Sequence, residues 1–278
     1  MRMIELKDVD VKIGDQVILN NVSISLKEKE CVAVIGENGT GKSLLLKLLA
    51  GVVSPTKGQV RRDIKEYGYA PEIPPKSLHF TAKEYLTHMG RIEGMSREEL
   101  ENRVTLLFKQ FNFNFHFHQD YIYKLSKGNK QKINLMQSLL REPSILLLDE
   151  PLSGLDPHSQ ENLLQYLKQL KEKKTTIIFT CHEGVLKENL ADRILLIENK
   201  EVKEGEMKTE KSYRTVQFSG NLDEISPLIN KTVDMQTLRR LQDGIFEVNV
   251  EANNSDKLLL TIINQGGKIK FLSKKSRI

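Results

Sequence analysis

The sequence predicts an α/β fold followed by a small α+β unit, and three observations carry that prediction. Residues Cys31–Ile35 (CVAVI) form a continuous apolar run, as expected of a strand covered on both faces in a parallel sheet. The run leads directly into the glycine-rich segment GENGTGKS at 36–43 and then into LLLKLLA, which has helical character and ends at Gly51, a suitable C-terminal stop. Two more buried-strand runs, SILLL at 144–148 and TTIIFT at 175–180, flank a helical stretch at 161–171 that puts Leu163, Leu164, Leu167 and Leu170 on one face. Strand and helix therefore alternate, the pattern of a sheet with helices packed on it.

The other elements follow in order. Near the start, residues alternate between apolar and polar, as in Ile4, Leu6, Val22, Ile24 and Leu26, which predicts strands. The opening MRMIELKDVD fits a strand and not a signal peptide. The middle, about 75–142, is helical by period, with candidates at 82–91, 97–111 and 130–141. A last strand of the main domain is expected at 193–197. We expect this domain to span 1–205 and a second, small α+β domain to span 206–278. In the latter, strands at 213–218 and 269–272, helices at Leu222–Ile229 and 256–264, and a hairpin around Gln242-Asp243-Gly244 give the order β-α-β-β-α-β of a ferredoxin-like sandwich.

Composition narrows the class. The chain has 278 residues, 39% hydrophobic and 28% charged, enough for a large core. The formal charge of +5 is mild, and a solvated basic surface explains it as well as nucleic acid does, so no nucleic-acid partner is expected. No apolar run approaches the roughly 18 residues of a membrane helix, so a membrane role would come through a partner. Cys31 and Cys181 sit at the edges of buried strands and are expected to be reduced core residues.

The segment Gly36, Glu37, Asn38, Gly39, Thr40, Gly41, Lys42, Ser43 fits G-x-x-x-x-G-K-[ST] between a buried strand and an apolar helix that begins at Leu44. Its glycines let backbone N–H groups turn inward around phosphate oxygens at the positive end of a helix. Lys42 is expected on the β- and γ-phosphates and Ser43 on Mg²⁺. The strand at 144–148 ends in Asp149 and Glu150, the acids such a site needs: Asp149 for Mg²⁺, Glu150 to position or deprotonate the attacking water. This much indicates a nucleoside triphosphate without choosing ATP or GTP.

Between these halves lies LSKGNKQ: Leu125, Ser126, Lys127, Gly128, Asn129, Lys130, Gln131. It resembles the LSxGxxQ signature of ABC ATPases, with Ser126 where a helix N-cap belongs. After the acids, Ser153, Gly154, Leu155 and Asp156 resemble the D-loop of that family, and His182, behind TTIIFTC, resembles its switch histidine. The resemblance covers residues 1 to about 205. It implies ATP and Mg²⁺ as ligands and a mixed sheet with an antiparallel β subdomain and a helical subdomain. It also implies a second ABC nucleotide-binding domain, in a homo- or heterodimer, whose signature closes on the γ-phosphate. Finally, it implies a separate transmembrane permease that holds the chain at the cytoplasmic face. The alternative is a soluble ABC ATPase acting on ribosomes or other macromolecules.

Two positions depart from the family pattern. Where an aromatic ring usually stacks on adenine, this chain has Ile13, which covers a base by apolar contact alone. In YGYAPE, at 67–72, Glu72 replaces the usual glutamine that touches Mg²⁺ and relays to the membrane subunit. This form, like LSKGNKQ, resembles bacterial exporters. The run FNFNFHFHQDYIY at 111–123 is expected to pack phenyl rings under the helical subdomain, with a partner contact or a His116–His118 metal pair as alternatives. The basic residues near the end, Lys268 to Arg277, are expected to be solvated, with anionic lipid as the alternative.

Overall fold

A computed structural model describes residues 2–63, 66–74, 79–113, 120–181, 184–205, 212–230, 233, 237–273 and 276–277. The chain divides into two compact units, Met1–Met207 and Lys208–Ile278.

The first unit opens with a long hairpin, β1 (Arg2–Ile13) and β2 (Gln16–Lys27), turning at Gly14 and Asp15. Then come β3 (Cys31–Ile35), α1 (Lys42–Leu49), β4 (Lys57–Arg62) and β5 (Tyr67–Ala70). Helices α2 (Ala82–Ile92), α3 (Arg97–Gln110) and α4 (Lys127–Ser138) fill the middle. The unit closes with β6 (Ile145–Leu148), α5 (Pro157–Glu172), β7 (Thr176–Thr180), α6 (Gly184–Leu190), β8 (Arg193–Glu198) and β9 (Glu201–Gly205).

These strands form two sheets. β4 joins the hairpin in an antiparallel sheet of order β2-β1-β4, and the others form a sheet of order β5-β6-β7-β3-β8-β9. That second sheet is parallel from β5 to β8 and antiparallel only at β9. Its central strands are covered on both sides. Leu146, Leu148, Ile177 and Phe179 point into a core shared with α2 to α5, while Ile145, Leu147 and Ile178 point into one shared with α1 and the hairpin. This is why these strands read as continuous apolar runs, each buried side chain adding about 1.5–3 kcal/mol.

Local chemistry sets the helix starts. Thr81 with Glu84, and Ser96 with Glu99, form reciprocal capping boxes on α2 and α3. Ser126 caps α4 by accepting the Asn129 N–H at 3.2 Å, so this helix begins at Lys127, ahead of the position its apolar period suggests. Phe111 and Phe113 are buried, as expected; Phe113 stacks on Phe108 at 5.2 Å between centroids, and Phe111 meets Tyr166 edge-on at 5.8 Å. His116 and His118 lie outside the described residues. Both cysteines are buried free thiols. No helix among the described residues is long and apolar enough to cross a membrane.

The second unit holds β10 (Ser212–Ser219), α7 (Leu222–Ile229), β11 (Arg239–Arg240), a 3₁₀ turn at Gln242–Gly244, β12 (Ile245–Glu251), a 3₁₀ turn at Ala252–Asn254, α8 (Ser255–Asn264), β13 (Lys268–Leu272) and the short β14 (Ser276–Arg277). Its antiparallel sheet has the order β11-β12-β10-β13, with β12 inserted between β10 and β11. Val216, Phe218, Phe246, Val248 and Val250 face Ile225, Ile229, Leu258 and Ile262 of the two helices.

Candidate nucleotide site

The order β6-β7-β3 brings three segments to one edge of the sheet. The parallel register aligns Leu148 with Phe179 and Val34 with Thr180. The glycine-rich loop after β3, the acids after β6 and the Thr180–Cys181 end of β7 therefore emerge at the carboxyl ends of adjacent strands, where open α/β sheets bind ligands.

The loop is shaped for an anion. Gly41 caps α1 with φ +105°, and a Cβ there would lie 3.0 Å from Ile18 Cγ2 and 3.1 Å from Leu19 Cδ2. Glycine alone meets both the dihedral and the close approach. The first helical bond runs from the Leu45 N–H to the Gly41 carbonyl, leaving the N–H groups before it without partners inside the helix. Lys42 is buried, and its ammonium donates to the carbonyls of Gly36 (2.9 Å) and Glu37 (3.0 Å). The Thr40 hydroxyl donates to the Glu37 carbonyl at 2.9 Å. Glu37, Asn38 and Gly39 are exposed, and Ser43 is half-buried on the first turn of α1. Leu44 is half-buried, with its side chain packed against the core.

The acids are held differently. Asp149 is buried; its N–H donates to the Ala70 carbonyl at 2.9 Å, and its Oδ1 accepts from the Thr180 hydroxyl at 2.7 Å. Glu150 has φ +48°, a left-handed conformation that costs a non-glycine residue about 1–3 kcal/mol. Its N–H donates to Thr180 Oγ1 at 2.8 Å. The Cys181 thiol is pushed up to about 11 by burial, with the Glu150 charge adding to the shift and the Lys187 and Lys42 charges opposing it. His182 falls outside the described residues.

Glu72 is exposed just beyond β5. The preceding Pro71 offers its carbonyl to Asn134 Nδ2 of α4 at 2.6 Å, tying this segment to the signature helix. Neither Asn134 nor Thr180 belongs to a sequence motif. Both are polar residues within apolar faces, and that mismatch was the available signal.

The signature segment leans on the D-loop of its own chain. A Cβ on Gly128 would lie 2.9 Å from the Gly154 carbonyl, and one on Gly154 would lie 3.0 Å from the Lys127 methylenes. Leu125 and Gln131 are buried, and Gln131 Nε2 has no hydrogen-bond partner among the described residues. The Ser153 N–H donates to the Glu150 carbonyl at 3.0 Å, and Leu155 is buried. Asp156 caps α5, accepting the Ser159 N–H (3.0 Å) and hydroxyl (2.6 Å), and these bonds hold its carboxyl below the usual range. Ile13 is 62% exposed beside the hairpin turn, open to an apolar contact.

The donor set suits Mg²⁺. Ser43 and Asp149 supply hard oxygen atoms, and no group of three or more His, Cys, Asp or Glu residues that could hold a metal occurs among the described residues. Mg²⁺ accepts few protein oxygens and completes its shell with phosphates and water.

Comparison with known proteins agrees with this geometry. The family model described as "ABC transporter" matches residues 19–153. The ABC transporter ATP-binding protein YxlF of Bacillus subtilis is 34% identical over 190 residues, spanning 66% of this chain and 64% of its own length. The ABC transporter ATP-binding protein NatA, also of B. subtilis, is 30% identical over 72% of this chain and 87% of its own. The Nod factor export ATP-binding protein I of Bradyrhizobium diazoefficiens is 31% identical over 70% of this chain and 67% of its own. Among solved structures, the ATP-binding subunit of an ABC transporter superposes with a TM-score of 0.68 at 28% identity, covering 75% of this chain and 92% of that one. A dimeric ATP-binding cassette, MJ0796, in a post-hydrolysis state with ADP and Pi gives 0.66 at 25% identity, covering 74% and 99%.

Proposed function

This chain belongs to the family of ABC transporter ATP-binding proteins and is an ATPase of that family, and from this premise we propose that it dimerises head to tail to power a separate membrane-spanning exporter. The observation that carries the reading is the meeting of the phosphate loop, the Asp149–Glu150 pair and Thr180 at the carboxyl ends of adjacent strands. The similar cassette MJ0796 is a dimer, which supports pairing. The name of the rhizobial relative supports export, as do the LSKGNKQ and YAPE segments.

In this reading ATP exchanges into contacts that the loop now makes with itself. Lys42 leaves the carbonyls of Gly36 and Glu37 for phosphate oxygens, and the N–H groups from Gly39 to Leu44 surround them. Ser43 and Asp149, with Glu72, hold Mg²⁺, which when bound withdraws charge from the phosphates. Ile13 covers the adenine. Leu125, Ser126, Lys127, Gly128 and Gln131 form the second face of the partner's ATP site. Glu150 takes up the proton of the attacking water, and His182 contacts the γ-phosphate. Ser153, Gly154, Leu155 and Asp156 connect this chemistry to the dimer surface. Loss of the γ-phosphate contacts reopens the pair, a two-state motion that the permease converts into transport at the cytoplasmic face.

Light scattering of the full-length Glu150→Gln protein tests the dimer: it should double its mass with ATP and Mg²⁺ and return to a monomer without them. A mass that ignores ATP would refute head-to-tail closure. Mild detergent extraction should recover the chain with a polytopic membrane protein, whereas recovery only with ribosomes would replace the transporter reading with a soluble one. Uptake of cargo by inverted vesicles distinguishes export from import.

A further inference from the structure

The strand β7 is apolar inside and carries a threonine at each end, and the two ends do different things. The Thr176 hydroxyl accepts the Lys29 N–H at 2.7 Å and points its proton at the Met3 sulfur at 3.2 Å, joining β7 to β1 and to the turn before β3 at the end of the strand away from the acids. Thr180 is fully buried at the other end, where the register sets it beside β3 and next to the acids after β6. Its one proton goes to Asp149 Oδ1 at 2.7 Å, and its oxygen accepts the Glu150 N–H at 2.8 Å. A hydroxyl has a single proton and two lone pairs, so both acids are tied to one atom with defined donor and acceptor roles.

We propose that Thr180 is a positioning residue for hydrolysis, setting the Asp149 carboxylate and the Glu150 backbone together through one hydroxyl. The proposal rests on Asp149 and Glu150 being the hydrolytic pair. Glu150 occupies a left-handed conformation that is costly for a non-glycine residue, and the bond from its N–H to Thr180 helps hold it there. The bond to Asp149 fixes which carboxylate oxygen is already engaged. Asp149 is buried, so its carboxylate cannot recruit bulk water in place of that donor. Thr180 touches no reacting atom in this scheme and acts only through the acids.

The test compares Thr180→Val, which keeps the shape and removes the hydroxyl, with Thr180→Ser, which keeps the hydroxyl and removes a methyl group. Steady-state ATP hydrolysis, melting temperature and Mn²⁺ binding to the complex with a non-hydrolysable ATP analogue (by electron paramagnetic resonance) are measured on the full chain. Thr180→Val should lower kcat roughly 10²-fold, the scale for a misplaced catalytic group, with little change in KM, and should lower the melting temperature because Asp149 Oδ1 and the Glu150 N–H lose a buried partner. It should also weaken Mn²⁺ binding, and Thr180→Ser should restore all three readouts. A Thr180→Val protein that turns over normally, or that loses ATP binding as much as turnover, overturns the proposal. Glu150→Gln is measured beside them: normal hydrolysis there removes the assignment of the acids and this proposal with it. An inactive Glu150→Gln beside an active Thr180→Val removes the role of Thr180 alone.

Discussion

Gly128, in the first turn of the signature helix, lies so close to Gly154 that a Cβ on it would stand 2.9 Å from the Gly154 carbonyl oxygen. The obstacle is backbone, not the end of a flexible side chain, so a larger residue must displace the D-loop. Gly154 itself holds φ +76°.

Gly128→Ala should therefore act on both segments at once. We expect a loss of about 1–3 kcal/mol, the usual cost of overpacking, read as a lower urea midpoint. Hydrolysis should slow as well, because the displaced loop begins at Glu150, whose carbonyl accepts the Ser153 N–H. A fully stable, fully active Gly128→Ala protein would mean that the close approach is incidental.

Complementation addresses the head-to-tail arrangement. Lys42→Ala and Ser126→Arg should each abolish hydrolysis alone. In an equal mixture half the dimers are mixed, and each mixed dimer has one intact site, so activity should return to about a quarter of wild type if the sites act independently. Absence of recovery, with mixed dimers demonstrated by differential tagging, would separate the two segments functionally.

In the proposed site the exposed Ile13 gives the adenine an aliphatic surface, where an aromatic ring would stack on it. Ile13→Tyr should add about 0.5–1.5 kcal/mol of ring contact. The dissociation constant for ATP should fall by roughly 2- to 12-fold. Calorimetric titration checks it, and kcat should be unchanged because the substitution is remote from the γ-phosphate.

The cysteines give a pH signature. Burial raises Cys31 and Cys181 from 9.0 to about 11 in the folded chain. Between these values the folded state binds more protons than the unfolded state, so stability falls with rising pH. Unfolding midpoints should be insensitive to these groups below pH 9 and should decline from about pH 9 to 11. In a Cys31→Ala, Cys181→Ala protein that decline should be shallower.

The sequence made the central strands legible because double-sided burial writes itself as unbroken apolar runs, as in Cys31–Ile35 and Ile145–Leu148. Edge elements were harder to read. The strand Lys57–Arg62 (KGQVRR) is almost wholly exposed and carries no apolar alternation; its pairing comes from β1. Tyr67–Ala70 is too short to announce itself and contains a glycine, at which a Cβ would lie 1.9 Å from the Ser138 carbonyl. The start of α4 escaped the apolar period but was legible in Ser126, whose place in LSKGNKQ is that of a helix N-cap.

The sequence by itself determined the motifs. GENGTGKS, the Asp149–Glu150 pair and LSKGNKQ read as a phosphate cradle, an acid pair and a signature, because each of those roles needs particular residue types at short, fixed spacing. Tertiary structure decided which of these meet. Strand order and parallel register brought Thr180, thirty residues away in sequence from Glu150, into hydrogen-bond reach of both acids. Packing of one loop against one helix set Gly128 on Gly154. Contacts of this kind depend on distance in space, and no local spacing along the chain encodes them.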